Sequence, residues 1–258
     1  MQENRSNEHS NLDKILGGIK SDIDSLDNMG FVESKRKKDT GIGKTFEDLV
    51  GIYENNNCLA DYQGIVEYKT FRNKSESSLT LATKSPKPRG INTYIREKYG
   101  KPDSEYENIK VVHSTFYSDK FYNSNDVCGY KIEVNDPDKK MYIKIKDISS
   151  EDIDPKLPYC DYNDINKLVH NKLKYIALIE AETKTEEGKE YFHFYKGQLL
   201  SGLTSETFID AIKDTKIAYE FRIGAYKSGP KIGKTHDHGT GFRIKRKKIK
   251  EVFDVSDI

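Results

Sequence analysis

The chain has 258 residues and a formal net charge of +1, so it can bury a sizeable core and is not a general polycation. Mean hydropathy is −0.80 and no apolar run approaches the roughly 20 residues of a bilayer span, which excludes a helical membrane protein. The polar N-terminus lacks a signal pattern, and Cys58, Cys128 and Cys160 lack metal-knuckle spacing, so we expect a cytoplasmic protein with reduced thiols and no membrane partner.

The first part of the chain is predicted to form a helix followed by short mixed elements. Residues 1–10 are polar and predict a disordered N-terminus ahead of a helix cap at Ser10 or Asn11. From Leu12 to Leu26 apolar residues recur at helical spacing, which predicts a first amphipathic helix. A glycine turn at 41–43 then precedes a short helix over 46–53, strands over 64–71 and 78–83, and a helix over 92–98.

The rest of the chain predicts mainly strands. Residues 113–117, 130–134 and 140–146 alternate apolar and polar side chains, as half-buried antiparallel strands do. Further strands are predicted over 174–181, 191–195, 217–223 and 241–245, and helices over 164–173 and 205–213. This mixture predicts an α/β or α+β fold in which residues 11–258 form one domain of two lobes, the smaller of them rich in β-structure.

The segment from Asp61 to Lys69 carries the strongest local chemical pattern. Side chains alternate along a strand, so Glu67 and Lys69 share one face and Tyr68 points to the other. Glu67 and Lys69 then lie roughly 7 Å apart along the strand, with Asp61 in the turn before them. Two converging carboxylates offer hard oxygen ligands to Mg²⁺, and a lysine ammonium can stabilise a charged transition state. The alternative is a surface salt bridge on an amphipathic strand.

Residues 222–250 contain ten Lys or Arg and one acid, Asp237, which is the localised positive surface that phosphate binding requires. Arginine and histidine can donate to guanine, and aspartate can accept from cytosine N4. The candidate DNA-binding residues in this glycine-rich segment are Arg222, Tyr226, Lys231, Lys234, His236, Asp237, His238 and Arg243. A metal site at His236 and His238 is the alternative, but alternation along a strand puts Asp237 on the opposite face, and no Cys or other carboxylate nearby completes a ligand set. Lys245–Lys250 would bind phosphate without reading sequence.

Several segments in order carry a family resemblance. They are Gly41-Ile-Gly-Lys-Thr-Phe-Glu-Asp-Leu49, Asp61–Lys69, Leu79–Pro86, Arg222–Tyr226 and Gly233–Arg243, with looser likeness over 92–100 and 174–185. Together they resemble the MvaI/BcnI restriction endonucleases, relatives of MutH and Sau3AI, and most of all the MvaI branch. The resemblance implies an α/β, PD-(D/E)xK restriction-endonuclease-like mixed sheet flanked by helices. It also implies a catalytic lobe centred on 41–86 and a smaller β-rich DNA-recognition lobe with its elements centred on 219–245.

The same resemblance assigns the catalytic residues. It places Asp61, Glu67 and Lys69 at the signature positions, with Asp61 and Glu67 as metal ligands. Glu47 matches a carboxylate that can approach the site in the MutH branch; its alternative is a favourable acidic charge near a helix N-terminus. Ala60 stands where the signature has proline, and the spacer between Asp61 and Glu67 varies among relatives, so Asp61 is the least fixed of the three.

The implied function is a type II restriction endonuclease that uses Mg²⁺, with Mn²⁺ as a substitute. It would cut double-stranded DNA at a CC-N-GG site, CCWGG first, as a monomer that nicks each strand in turn. A cognate DNA methyltransferase would belong to the same system without forming a stable complex. Neither Gly-Lys-Thr segment, at 43–45 or 233–235, has P-loop spacing, so no nucleotide cofactor is expected. The alternatives are a MutH-like mismatch-repair nicking endonuclease and a catalytically inactive, sequence-specific DNA-binding protein.

Overall fold

The computed structural model describes residues 2–36, 40–52 and 59–258, with side chains from residue 10 onward. The helices are α1 (Gln2–Met29), α2 (Gly41–Leu49), α3 (Ile91–Tyr99), α4 (Tyr162–Leu168) and α5 (Ser205–Lys213), with a π-helical turn at Val169–Leu173 and a 3₁₀ helix at Arg246–Glu251. The strands are β1 (Val32–Glu33), β2 (Glu67–Arg72), β3 (Leu79–Thr83), β4 (Lys101–Pro102), β5 (Lys110–Phe116), β6 (Tyr122–Asn123), β7 (Cys128–Asn135), β8 (Lys140–Asp147), β9 (Tyr159–Asp161), β10 (Ile176–Glu186), β11 (Lys189–Ser201), β12 (Ile217–Ala225), β13 (Thr235–Asp237), β14 (Gly241–Ile244) and β15 (Asp254–Asp257).

These elements divide into two compact units, each built from separate stretches of chain. Unit 1 comprises Met1–Ser77, Asn171–Gly202 and Phe253–Ile258, and unit 2 comprises Ser78–His170 and Leu203–Val252. Of the region predicted as the centre of the catalytic lobe, residues 41–77 belong to unit 1 and β3 belongs to unit 2. The predicted recognition elements, residues 219–245, lie in unit 2.

Unit 1 is built on a mixed sheet with two helices on one face. The strand order is β1–β11–β10–β2, with β15 also paired to β11, and the β10–β2 pair is parallel whereas the others are antiparallel. Ile19 and Ile23 of α1 and Phe46 of α2 share a buried core with Tyr68 of β2. Gly197 on β11 allows α1 to approach, because a β-carbon there would lie 2.4 Å from Cδ1 of Ile23.

Unit 2 contains two antiparallel sheets. The larger has the order β3–β14–β12–β5–β4 with β13 also paired to β12, and the smaller has the order β6–β7–β8–β9. One face of the larger sheet is an aromatic core in which Phe116, Tyr219, Phe221 and Phe242 are buried. The rings of Tyr219 and Phe242 lie 5.1 Å apart. Both rings are therefore core residues and are not available to stack on bases.

The predicted elements are present, with differences at their ends. α1 begins at Gln2, so residues 2–10 are helical where the sequence predicted disorder. No Pro or Gly interrupts the chain before Gly17, and most polar residues carry only a small propensity cost in a helix. The helix predicted over 46–53 starts earlier, at Gly41, and ends at Leu49; residue 53 lies outside the described residues. The short strands β1, β4, β6, β9, β13 and β15 were not predicted, because two to four residues carry no periodic pattern.

Two of the three cysteines can be described, and both are buried free thiols. Burial raises the pKa of Cys128 to about 11 and that of Cys160 to about 12, so neither is a thiolate near neutral pH. Cys58 lies outside the described residues. None of the described helices has both the length and the apolar composition needed to cross a bilayer.

Candidate active site and DNA-reading face

A tight turn just before β2 places Asp61. The two residues at the bend, Gln63 and Gly64, have φ of 52° and 72°. Left-handed backbone at both central positions is the conformation of a type I′ turn, which reverses the chain within a few residues. The N–H of Ile65 donates to the carbonyl of Tyr62 at 3.0 Å and closes the turn, and the N–H of Tyr62 donates to the carbonyl of Val66 at 2.8 Å. The chain therefore folds back on itself and brings Asp61 beside β2.

The free edge of β2 then holds the Asp61 carboxylate. The N–H of Glu67 donates to the carbonyl of Tyr175 at 3.0 Å, on the side of β10. Successive N–H groups of a strand point to opposite sides, so the N–H of Tyr68 points away from β10. It donates to Oδ2 of Asp61 at 3.1 Å. The backbone of β2 thereby fixes Asp61 next to Glu67.

Glu67 is buried, and two lysines balance its charge. Its Oε1 accepts from Nζ of Lys69 at 2.6 Å, which confirms that the two side chains share a face. Its Oε2 lies 3.5 Å from Nζ of Lys172. A carboxylate with 4% exposure needs such partners, since an unpaired buried charge is costly. Lys172 was not predicted; it is near Glu67 only because the parallel β2–β10 pair aligns Ile176 with Glu67.

The groups of this site interact electrostatically. Desolvation and then the negative charge of Glu67 raise the pKa of Asp61. The N–H of Tyr68 and the ammonium groups of Lys69 and Lys172 offset part of this rise. Two carboxylates that repel each other in this way fit a divalent cation, which would relieve the repulsion.

The donor set also fits the coordination that Mg²⁺ prefers. Mg²⁺ is commonly held by one or two carboxylates and keeps several water ligands, so Asp61 and Glu67 can suffice. Among the described residues, no group of three or more His, Cys, Asp or Glu forms a metal site.

Glu47 lies on α2 and is half-buried. Its neighbour Phe46 packs edge-on against Tyr68, with ring centroids 4.9 Å apart. This contact holds α2 against the strand that carries Glu67 and Lys69. A metal-binding role for Glu47 stays a prediction.

In unit 2, the polar face of the larger sheet carries exposed candidates for DNA binding. Arg222 is exposed on β12, opposite in direction to the buried Phe221. The ring of Tyr226 stacks on that of His236 at 4.4 Å and 15°. The rings of His236 and His238 are 4.3 Å apart. Pairing of β13 with β12 thus gathers four of the predicted residues on one surface.

A glycine makes room for His238 on this surface. A β-carbon on Gly224 would lie 2.7 Å from Nε2 of His238, so the imidazole rests over the glycine. Desolvation and then electrostatic repulsion by His236, His113 and Arg222 lower the pKa of His238. Its imidazole is therefore neutral at pH 7, with one donor and one acceptor nitrogen.

Asp237 makes its hydrogen bonds within the chain. Its Oδ1 accepts from the N–H groups of Gly239 at 3.0 Å and Thr240 at 2.7 Å. Its Oδ2 accepts from Nδ2 of Asn92 at 2.9 Å and from the hydroxyl of Ser85. The sequence predicted a carboxylate that accepts from cytosine. These four bonds instead favour a role in shaping the loop after β13.

Arg243 is also committed within the chain. It is buried, with 4% exposure. Its Nε donates to Glu220 at 2.8 Å, and its Nη2 donates to the carbonyl of Gly239 at 2.6 Å. The sequence predicted that Arg243 binds DNA by donating to a base. The β12–β14 register places Arg243 opposite Ala218, on the face where Glu220 can bind it, so the structure favours a positioning role.

Lys231 and Lys234 are exposed in the loop between β12 and β13. Nζ of Lys231 lies 5.5 Å from the ring centre of Tyr226. The buried Arg96 anchors the loop by donating to the carbonyl of Gly233 at 3.1 Å and to the hydroxyl of Thr235 at 3.1 Å. The two lysines are therefore held on an ordered loop beside the stacked rings.

Comparison with known proteins identifies the family. The sequence profile of the MvaI/BcnI restriction endonuclease family matches residues 20–253. The chain belongs to the MvaI/BcnI restriction endonuclease family. No curated protein sequence matches the chain. As a MvaI/BcnI enzyme it is a type II site-specific endonuclease that acts on double-stranded DNA, and restriction endonucleases generally use divalent metal ions.

Solved structures agree with this assignment. The chain is similar to restriction endonuclease MvaI in a complex with its cognate DNA substrate, with a TM-score of 0.86, 37% identity, and coverage of 94% of this chain and 97% of that one. It is also similar to MvaI in the absence of DNA, with a TM-score of 0.59, 35% identity and the same coverage of 94% and 97%. The mixed α/β restriction-endonuclease fold implied by the resemblance is thereby confirmed.

Proposed function

We propose that the chain hydrolyses phosphodiester bonds in duplex DNA at a CC-N-GG site, CCWGG first, with Mg²⁺ bound by Asp61 and Glu67. The observation that carries the proposal is the contact of Glu67 with Lys69, next to an Asp61 carboxylate that the β2 backbone holds in place. Together, Asp61, Glu67 and Lys69 supply two carboxylate ligands for a metal ion and one ammonium group in a small site. The residue types and their proximity are those that phosphodiester hydrolysis requires.

Each residue of the site has a distinct role in this proposal. A bound Mg²⁺ supplies Lewis acidity and lowers the pKa of a water ligand. Asp61 and Glu67 hold the cation. A cation bound to Glu67 would neutralise this carboxylate in place of Lys69. Lys69 would then face the phosphate and stabilise the negative charge that builds on the phosphate oxygens. Lys172 pairs with Oε2 of the buried Glu67 at 3.5 Å, so it acts as a positioning residue.

The reading of the DNA sequence is proposed for the polar face of the larger sheet in unit 2. Arg222, His236 and His238 offer the donors that G·C pairs require in the major groove. The support is their shared surface, with the rings of His236 and Tyr226 stacked. Lysines 231, 234, 245, 247 and 250 are exposed and would bind phosphates, which sets position without reading sequence.

We further propose that the enzyme acts as a monomer that nicks one strand at a time, in the cytoplasm, protected by a separate methyltransferase. The family resemblance supports this over a dimer that cuts both strands together. A MutH-like nickase would instead need a partner and would leave one strand intact. An inactive DNA-binding protein is disfavoured because the Glu67–Lys69 pair and Asp61 are all present.

A plasmid digest with Mg²⁺, followed by sequencing of the new ends, tests the proposal. We expect linear product by way of a nicked intermediate, with ends that fall within CC-N-GG sites. Product that stays nicked would indicate the MutH-like alternative, and no product at any Mg²⁺ or Mn²⁺ concentration would indicate the inactive one. Ultracentrifugation with site-bearing DNA checks the stoichiometry, since a stable 2:1 complex contradicts the monomer.

A further inference from the structure

His113 on β5 lies on the polar face of the larger sheet, next to the predicted DNA-reading residues. In the antiparallel β5–β12 pair, His113 stands directly opposite Arg222, and Thr115 stands opposite Glu220. Residues directly opposite each other share a face, with β-carbons about 5 Å apart. Phe116, three residues further along β5, is buried in the aromatic core on the other face. His113 therefore projects from the same surface as Arg222.

The surface continues from His113 to the stacked rings. Arg222 and Gly224 alternate along β12 and so share this face. The imidazole of His238 lies over Gly224, with Nε2 at 2.7 Å from the position of a β-carbon there. His236 follows at 4.3 Å from His238. His113 thus extends a continuous row of side chains at its β5 end.

The imidazole of His113 is exposed, and its ring nitrogens have no partner in the part of the chain that the structure describes. Among the described residues, no hydrogen bond or ion pair uses its side chain, whereas Glu220 on the same face binds Arg243 at 2.8 Å and Thr115 at 3.3 Å. A polar group without a partner on an exposed face can bind a ligand without giving up an internal contact.

The charges around His113 decide which ligand groups suit it. Desolvation and then the positive charges of Arg222 and Lys101 lower the pKa of His113, against the raising effect of Glu220 and Asp103. The ring is therefore neutral at pH 7 and carries one donor and one acceptor. A neutral imidazole is a poor phosphate ligand, because phosphate affinity comes from positive charge. A base edge, which presents donors and acceptors, is the better match.

We propose that His113 is a further specificity-determining residue, which contacts a base edge in the groove read by Arg222 and His238. This inference rests on the proposed DNA-reading role of that face. It adds a second strand, β5, to a reading surface that the sequence located only in residues 222–243.

Binding measurements on the full chain test the inference. The Lys69→Ala background keeps the DNA intact, and His113→Ala, His113→Gln, Arg222→Ala and His170→Ala are compared in it. The probes are a short duplex carrying the site found by end sequencing and a duplex with that site scrambled. His170 is an exposed histidine of the same unit without a described partner, so it serves as the matched control.

We expect His113→Ala to weaken binding of the site duplex roughly 5- to 100-fold, with less than about a 2-fold change on the scrambled duplex. His113→Gln keeps a donor and an acceptor and should retain part of the affinity. His170→Ala should match the parent on both probes. Equal losses on both duplexes, with a weaker dependence on salt, would make His113 a phosphate contact and overturn the inference.

Arg222→Ala is the reference variant, and it distinguishes failure of the inference about His113 from failure of the proposed DNA-reading face. If Arg222→Ala loses discrimination and His113→Ala does not, the inference about His113 is wrong and the reading face stands. If neither variant changes discrimination, the reading-face proposal itself is wrong and the inference falls with it. Thermal melting of each variant confirms that the comparison is between folded proteins.

Discussion

Replacing Arg243 by alanine should lower the free energy of unfolding, and not only weaken the binding of DNA. The change removes the Nε bond to Glu220 at 2.8 Å and the Nη2 bond to the Gly239 carbonyl at 2.6 Å. Removing one partner of a buried ion pair costs roughly 3–5 kcal/mol. The Glu220 side chain is 26% exposed and can be rehydrated, so we take the lower end, about 3 kcal/mol.

Thermal unfolding followed by circular dichroism measures this loss. In a protein of this size, about 1 kcal/mol moves Tm by roughly 2–4 °C, so Arg243→Ala should melt about 6–12 °C below the parent. Glu220→Gln should account for much of the same loss, and the double variant should cost less than the two single changes added together. The exposed Lys247→Ala is the control and should leave Tm unchanged.

The opposite outcome would refute the positioning role. If Arg243→Ala melted within about 2 °C of the parent and lost only its preference for site DNA, Arg243 would be a base-reading residue. That was the expectation from the sequence alone.

Three further predictions concern single residues. Desolvation and Glu67 raise the pKa of Asp61, so its contribution to stability is present at low pH and is lost as pH rises through the folded-state pKa. Asp61→Asn should therefore raise Tm at pH 7, although it should also abolish cleavage. A lowered Tm would contradict this prediction. Burial alone would raise the pKa of Asp154, but hydrogen bonds from one lysine and two tyrosines outweigh it and hold the pKa at about 2. The resulting stabilisation, roughly 2 kcal/mol, is present above pH 4 and lost towards pH 2. The Tm gap between the parent and Asp154→Asn should therefore close over that range in an acid titration. Gly224→Ala must displace the His238 ring and should cost roughly 10-fold in affinity for site DNA at unchanged Tm; undiminished binding would show that His238 does not read the site.

Local patterns in the sequence predicted the elements but not the contacts between distant ones. Helix α5 has the predicted bounds, 205–213, because its cap at Thr204 and its apolar spacing are local signals. The Glu67–Lys69 contact also follows from alternation within one strand. Lys172 reaches Glu67 only through the β2–β10 pairing, which no local pattern encodes.

The exposure of a polar residue was the least predictable property. Arg222 and Arg243 have the same chemistry, and both lie in the basic segment 222–250. Arg222 is exposed, whereas the β12–β14 register places Arg243 where it is buried and donates to Glu220. His113 was overlooked for the same reason, because its position opposite Arg222 depends on the pairing of strands far apart in the chain.

Single-turnover cleavage by Lys69→Ala tests the catalytic assignment most directly. Lys74, exposed just beyond the same strand, gives a matched control in Lys74→Ala. With Mg²⁺ and site-bearing duplex in both assays, we predict that Lys69→Ala binds the duplex like the parent and cuts it at least about 100-fold more slowly. Lys74→Ala should cut at the parent rate. Cleavage by Lys69→Ala at the parent rate would contradict the assignment of Asp61, Glu67 and Lys69 as the active site.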